Sequence, residues 1–167
     1  MGLACSATAR AGLLALSVSV AVAAGAPAAA AAEHLVRLVT EGAHGRFRFE
    51  PPVLLVAKGE SVRFVPDSRL HAVKTVAGML PAGASPWRGR MGEEVEVRFD
   101  RPGVYGLKCP AHYQVGMVAL VVVGHDPANL RDARSVRHPP MPTETFGTLF
   151  AEAACELHPA QAGACAD

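Results

Sequence analysis

Three side chains with affinity for transition metals lie close together in the stretch GLKCPAHYQVGM, at 106–117. Cys109 offers a thiolate, His112 an imidazole and Met117 a thioether. The stretch falls between two patterns that predict strands, so a single connecting loop presents all three side chains. The spacing therefore indicates a metal site at one end of a β-structure.

A fourth ligand is expected from another part of the chain, and His71 is the candidate. It lies between the predicted strands SVRFV (61–65) and AVKTVA (72–77), at a strand end where a sandwich gathers its loops. One thiolate and two imidazoles in a plane, with a weak axial thioether, form a blue-copper electron-transfer site. Zinc is the alternative metal, although it is usually held by Cys, His or carboxylate. Four protein ligands leave no open position for a substrate, so the set predicts one copper ion and electron transfer rather than catalysis.

Short strands with turn signals between them dominate the sequence from His34 to Gly124. Period-two patterning and enrichment in valine identify eight of them, with no helix between. This arrangement predicts an all-β fold, either a two-sheet sandwich or a barrel. The predicted strands are 35–39, 46–50, 53–57, 61–65, 72–77, 94–99, 104–109 and 118–123.

Beyond Gly124 the pattern becomes helical. Asp126 is the predicted N-cap of a first helix, and Thr143 is a possible N-cap of a second. In the second helix the residues Phe146, Leu149, Phe150 and Ala153 are spaced to form one apolar face.

The first 32 residues differ in composition from the rest of the chain. Their only charged side chain is Arg10, an apolar run follows it, and small residues precede Glu33. This pattern predicts a secretory signal cleaved near Ala32. An uncleaved membrane anchor is the alternative, but alanine and serine make the run weakly hydrophobic. We therefore expect a signal peptide at 1–32, a β-domain at 33–125 and a helical extension at 126–167.

The sequence has 16 basic and 15 acidic residues, and the signal removes Arg10. Because phosphate binding needs a basic excess, we expect no nucleic-acid partner. Export implies an oxidising compartment, in which Cys155 and Cys165 are expected to form a disulfide. Two separate thiols or intermolecular bridges are the alternatives.

The sequence resembles the pseudoazurins, which are small periplasmic blue-copper proteins. The resemblance implies an eight-stranded Greek-key cupredoxin sandwich with C-terminal helices, and copper ligands at His71, Cys109, His112 and Met117. It also implies an electron carrier, not an enzyme, that serves periplasmic reductases such as copper nitrite reductase in denitrification. We expect a monomer with no membrane contact after signal cleavage. The matching stretches are FEPPVLLVAKGESVRFVP, HAVKTVAGMLPAGA, PGVYGLKCPAHYQVGMVALVVVG and DPANL.

Two positions depart from the family pattern. Ala72 stands where the family usually has Asn after the first histidine ligand, although its backbone N–H can still reach the sulfur of Cys109. Pro110 and Ala111 stand where the family has Thr-Pro, which removes one backbone N–H donor from the loop. Both changes are expected to affect the reduction potential more than copper binding.

An electron carrier needs an apolar contact patch beside an exposed ligand, with charges around it that steer the partner. Ordinary core packing and ordinary solvated surface are the alternatives for these residues. The predicted patch is Leu70, Met79, Pro81, Pro110, Ala111 and Val115. The predicted basic surround is Arg69, Lys74, Arg88, Arg90 and Lys108.

A copper carrier or storage protein is the alternative from another functional class. Such proteins usually expose Met- or His-rich tracts, whereas this sequence has one compact set of four ligands. A third alternative is an interaction module that retains the fold, and the intact ligand set disfavours it.

Overall fold

Eight strands form two four-stranded sheets in the computed structural model, which describes Met1 and residues 33–159. The first sheet has the order β2-β1-β4-β6 and the second β3-β8-β7-β5. The predicted all-β sandwich is therefore confirmed. The strands are β1 (Glu33–Gly42), β2 (Gly45–Glu50), β3 (Val53–Val56), β4 (Ser61–Pro66), β5 (Lys74–Thr75), β6 (Val95–Arg98), β7 (Gly103–Lys108) and β8 (Val118–Val123).

Strand β8 is buried along its whole length, because both of its faces are covered. Successive side chains of a strand point to opposite faces. Ala119, Val121 and Val123 lie in the core between the sheets, whereas Val118, Leu120 and Val122 lie in a second cluster beneath the C-terminal helix. This double burial explains why the strand reads as a continuous apolar run rather than an alternating one.

Two helices follow the sandwich, α1 (Leu130–Ser135) and α2 (Pro140–Leu157). The predicted apolar face of α2 is confirmed, since all four of its residues are buried. The predicted N-caps are wrong. Helix α1 has Asn129 rather than Asp126 at its N-cap, and α2 begins before Thr143 because prolines are tolerated in a first turn, where no N–H is needed. Within residues 33–159, no helix is both long and apolar enough to cross a membrane.

The pairing of the strands brings three distant chain segments to one end of the sandwich. Strand β5 is far shorter than predicted, but it pairs with β7 so that Lys74 lies opposite Lys108. Strand β7 pairs with β8 so that Lys108 lies opposite Val118. The residues just before β5, just after β7 and just before β8 are therefore neighbours.

Some predictions fall on residues outside this description. The predicted signal peptide lies there, apart from Met1, and so does Cys165. The pairing of Cys165 with Cys155 and the proposed division of the chain at 125 and 126 stay predictions.

Candidate metal centre

His71, Cys109 and His112 converge at this end of the sandwich. The sulfur of Cys109 lies 3.9 Å from Nδ1 of His71 and 3.7 Å from Nδ1 of His112. The ligand atoms of the three residues all lie within 4.8 Å of one another. His71 and Cys109 have no exposed surface, and His112 is half-buried. One ion could contact one sulfur and two imidazole nitrogens here, which is the donor set that suits copper.

The loop between β7 and β8 is closed by backbone hydrogen bonds. The N–H of Cys109 donates to the carbonyl of Met117 over 3.0 Å, and the N–H of Met117 donates to the carbonyl of His112 over 3.1 Å. A 3₁₀ turn at Tyr113–Val115 lies between them. The side chain of Met117 is fully buried at the base of the loop. Met117 lies opposite Cys109, one position beyond the last pair of β7 and β8.

Gly116 ends the 3₁₀ turn in a left-handed conformation, with φ of +85°. Other residues rarely adopt this backbone conformation. A Cβ atom at this position would also lie 2.7 Å from Oγ1 of Thr145 in α2. The glycine therefore permits both the tight loop and the close packing of α2 against it.

His71 makes polar contacts through its other ring nitrogen. Nε2 lies 2.9 Å from Oγ1 of Thr40 and 3.3 Å from Oδ1 of Asp67. Burial lowers the pKa of His71, the negative charge of Asp67 opposes this effect, and the charge of His112 adds to it. Sequence reasoning missed both Thr40 and Asp67.

His112 is stacked on an aromatic ring that sequence reasoning also did not assign to the site. The ring of Phe47 lies 4.3 Å from that of His112, centroid to centroid, at an interplanar angle of 16°. Phe47 has φ of +52°, an uncommon conformation for a bulky residue. The guanidinium of Arg46 lies 5.3 Å from the centroid of the Phe47 ring. Phe47 therefore covers one face of the more exposed histidine.

The loop is also tied to the segment between the helices. The hydroxyl of Tyr113 lies 2.7 Å from Nδ1 of His138, and Nζ of Lys108 lies 4.2 Å from the centroid of the Tyr113 ring. Burial lowers the pKa of His138, and the positive charge of Lys108 lowers it further. Nδ1 of a neutral His138 can accept a hydrogen bond from the Tyr113 hydroxyl, whereas a protonated ring has no free nitrogen to accept it.

Part of the predicted apolar patch is exposed and part is not. Leu70 is 60% exposed, Val115 is 53% exposed and Ala111 is also exposed. The prediction for Met79 is wrong, because its side chain is fully buried against Gly106, which has no Cβ to occupy that space. Pro81 is buried as well, so it cannot contact a partner. Pro110 is half-buried.

The predicted basic surround is mostly solvent-exposed. Arg69, Lys74, Arg88 and Arg90 are exposed, but Lys108 is half-buried against Tyr113. Burial lowers the pKa of Lys108, and the neighbouring charge of Lys74 lowers it further. Ala72 is buried beside His71, and its predicted hydrogen bond to Cys109 stays a prediction.

Comparison with known proteins agrees with this geometry. The family model of copper binding proteins of the plastocyanin/azurin family matches residues 36–124. Pseudoazurin from Methylorubrum extorquens is 41% identical over 120 residues, which cover 72% of this chain and 81% of that protein. Pseudoazurin from Paracoccus pantotrophus is 32% identical over 121 residues, which cover 72% and 83%. The chain belongs to the pseudoazurins.

The crystal structure of pseudoazurin from Methylobacterium extorquens AM1 agrees at the level of the fold. It matches with a TM-score of 0.70 and 40% identity, covering 73% of this chain and 99% of that one. The resemblance and the cupredoxin sandwich predicted from the sequence are thus confirmed. Pseudoazurins are electron-transfer cupredoxins, so this pseudoazurin is an electron carrier rather than an enzyme, and its His-Cys-His group fits a type 1 copper ion.

Proposed function

We propose that His71 and His112, through their Nδ1 atoms, and Cys109, through its sulfur, would hold one copper ion, and that the buried Met117 would add a thioether to this donor set. The observation that carries the proposal is the convergence of these two nitrogens and one sulfur within 4.8 Å. The bound ion would supply the one-electron chemistry, by alternating between Cu(II) and Cu(I). A free buried thiol between two imidazoles is otherwise hard to explain.

The surrounding protein is suited to holding this site still during electron transfer. Cys109 and Met117 are buried and joined by a backbone hydrogen bond, and His71 is buried and hydrogen-bonded at its far nitrogen. A site whose ligands move little needs little reorganisation when the charge changes. His112 is the least buried of the three site residues, so its ring edge is the proposed route for the electron.

We propose that the partner is a periplasmic oxidoreductase such as copper nitrite reductase, and that the chain is exported by its N-terminal signal. The docking patch would comprise the exposed residues Leu70, Ala111 and Val115 around His112. The basic residues beside it would attract an acidic face of the partner and raise the association rate without tight binding. Weak binding suits a carrier that must leave after each electron.

Stopped-flow oxidation of the reduced protein by copper nitrite reductase tests the docking face. The variant Lys74→Glu/Arg88→Glu reverses two exposed charges next to the β5–β7 pair. We expect the second-order rate at low salt to fall about tenfold and the salt dependence to weaken, because steering contributes about this much or more. The visible spectrum of the copper site should not change.

A matched control has the same change of net charge at the other end of the sandwich. The variant Lys58→Glu/Arg101→Glu alters two exposed residues, and Arg101 precedes β7, whereas Cys109 follows it. This control should react at nearly the wild-type rate. Equal rates for the two double variants would show that docking uses another surface or that this reductase is not the partner.

A further inference from the structure

A carboxylate and a hydroxyl form a polar chain behind the buried histidine of the proposed copper site. Nε2 of His71 lies 2.9 Å from Oγ1 of Thr40, and the Thr40 hydroxyl donates to Oδ1 of Asp67 over 3.2 Å. The backbone N–H of Thr40 donates to the other carboxylate oxygen, Oδ2, over 2.7 Å. Oδ1 of Asp67 also lies 3.3 Å from Nε2 directly.

The pairing of β1 with β4 holds the polar chain of Thr40 and Asp67 in place. These strands run parallel, with Leu38 opposite Pro66 as the last pair. The N–H of Asp67 continues the pattern by donating to the carbonyl of Leu38 over 2.9 Å. Thr40 therefore lies in β1, and the partly exposed Asp67 directly follows β4, held to β1 by its backbone; His71 has no exposed surface.

The orientation of His71 fixes which way the hydrogen bonds run. Its Nδ1 faces Cys109, so the nitrogen that would bear the proton is Nε2. With the metal at Nδ1, the N–H at Nε2 would donate toward Thr40 and Asp67. Metal-bound histidines are commonly oriented in this way, and a carboxylate at the far nitrogen makes the imidazole a stronger donor to the metal.

We propose that Asp67, acting with Thr40 through His71, is a positioning residue that favours the oxidised state of the site and lowers its reduction potential. The inference rests on the proposed copper site. Cu(II) carries one more positive charge than Cu(I), so a nearby negative charge stabilises the oxidised form more. A more basic imidazole acts in the same direction.

The test compares Asp67→Asn with the wild type in a redox equilibrium with a one-electron mediator. Asparagine still accepts the Thr40 N–H but has no charge. We expect the equilibrium to shift about tenfold toward the reduced protein, which is about 59 mV for a one-electron couple. The Cu(II) dissociation constant should rise about tenfold and the Cu(I) constant should stay nearly unchanged, because the ratio of the two changes equals the shift of the redox equilibrium.

Two variants of Thr40 separate the polar chain from simple packing. Thr40→Val removes the hydroxyl at nearly constant volume and should shift the equilibrium in the same direction. Thr40→Ser keeps the hydroxyl and should behave like the wild type. Asp100→Asn is the charge-matched control, because Asp100 precedes β7 at the opposite end from the site.

Nitrogen-15 NMR of the reduced wild-type protein adds a readout that needs no variant. We expect a proton on Nε2 of His71, protected from exchange by the polar chain; its absence would overturn the proposal. A blue Asp67→Asn protein with an unchanged mediator equilibrium would also overturn it, while leaving the copper site intact. A wild-type protein that binds no copper would overturn the proposed function and this inference together.

Discussion

Replacing Phe47 by leucine should loosen the half-buried histidine of the copper site. In the wild type the Phe47 ring lies 4.3 Å from the His112 ring, nearly parallel to it at 16°. Leucine keeps most of the apolar volume and meets the same backbone constraint at φ of +52°. The substitution therefore removes the ring stack on His112 together with the contact between the Phe47 ring and the Arg46 guanidinium.

The expected loss of copper affinity follows from the stack of Phe47 on His112 alone. An aromatic pair contributes about 0.5–1.5 kcal/mol beyond the burial of its area. Because about 1.4 kcal/mol corresponds to tenfold in an equilibrium constant, copper binding should weaken by about 2-fold to about 12-fold. The effect should lie mainly in the rate of copper loss, since the ring restrains His112 in its ligand position.

A chelator challenge measures this rate directly. Excess chelator is mixed with the oxidised protein, and the decay of the visible band gives the rate of copper release. Phe47→Tyr retains the stacked ring and is the matched control, so its rate should stay close to that of the wild type. If Phe47→Leu released copper no faster than Phe47→Tyr, the stack would not hold His112.

Three further predictions concern the loop and its supports. Met117→Gln should still bind copper but with a lower reduction potential, because a weak axial ligand tunes the site more than it retains the metal; complete copper loss with an intact circular dichroism spectrum would contradict this. Gly116→Ala should lower the free energy of unfolding by about 1–3 kcal/mol in urea titrations, because of its φ of +85° and the contact with Thr145. Gly147→Ala is the control, because an added Cβ there meets nothing within 4 Å, and it should be neutral or stabilising. If both variants lowered the free energy of unfolding equally, the argument for Gly116 would be refuted. Burial keeps the pKa of His138 in the folded protein below its ordinary value. As the pH falls below about 6.5, His138 is therefore protonated in the unfolded chain before it is protonated in the folded protein, and the free energy of unfolding decreases. His138→Gln should therefore show a smaller fall in melting temperature between pH 7.5 and 5.5 than the wild type, and an equal fall would count against this assignment.

The strands were predictable from the sequence because their patterns reflect burial directly. The run VALVVV forms β8, and its continuous apolar character matches its burial on both faces. The position of the site was predictable for a related reason. Cys109 ends a strand pattern and Met117 precedes the next, so the loop between them must present its ligands at one end of the sheet.

Side chains placed by tertiary packing were not predictable. Met79 lies in a Gly- and Pro-rich segment that suggests exposure, but the missing side chain of Gly106 leaves a space in which Met79 is buried. The predicted N-caps were wrong for both helices. A proline-containing first turn started α2 at Pro140, although Thr143 has the residue type of an N-cap.

The supports of the two histidines were missed because they are distant from them in sequence. Thr40 and Asp67 meet only because β1 and β4 pair in parallel in one particular register. Phe47 reaches His112 from β2, and no local pattern distinguishes it from an ordinary strand residue. Ligand types can be read from a motif, whereas the residues that orient the ligands depend on strand pairing.

The visible absorption spectrum after addition of one equivalent of Cu(II) tests the central claim most directly. The claim is that one copper ion is bound by the sulfur of Cys109 between His71 and His112. It predicts an intense band from charge transfer between that sulfur and Cu(II), and loss of the band in Cys109→Ser with the fold retained by circular dichroism. A colourless wild-type protein, or a Cys109→Ser variant with the same band, would contradict the assignment.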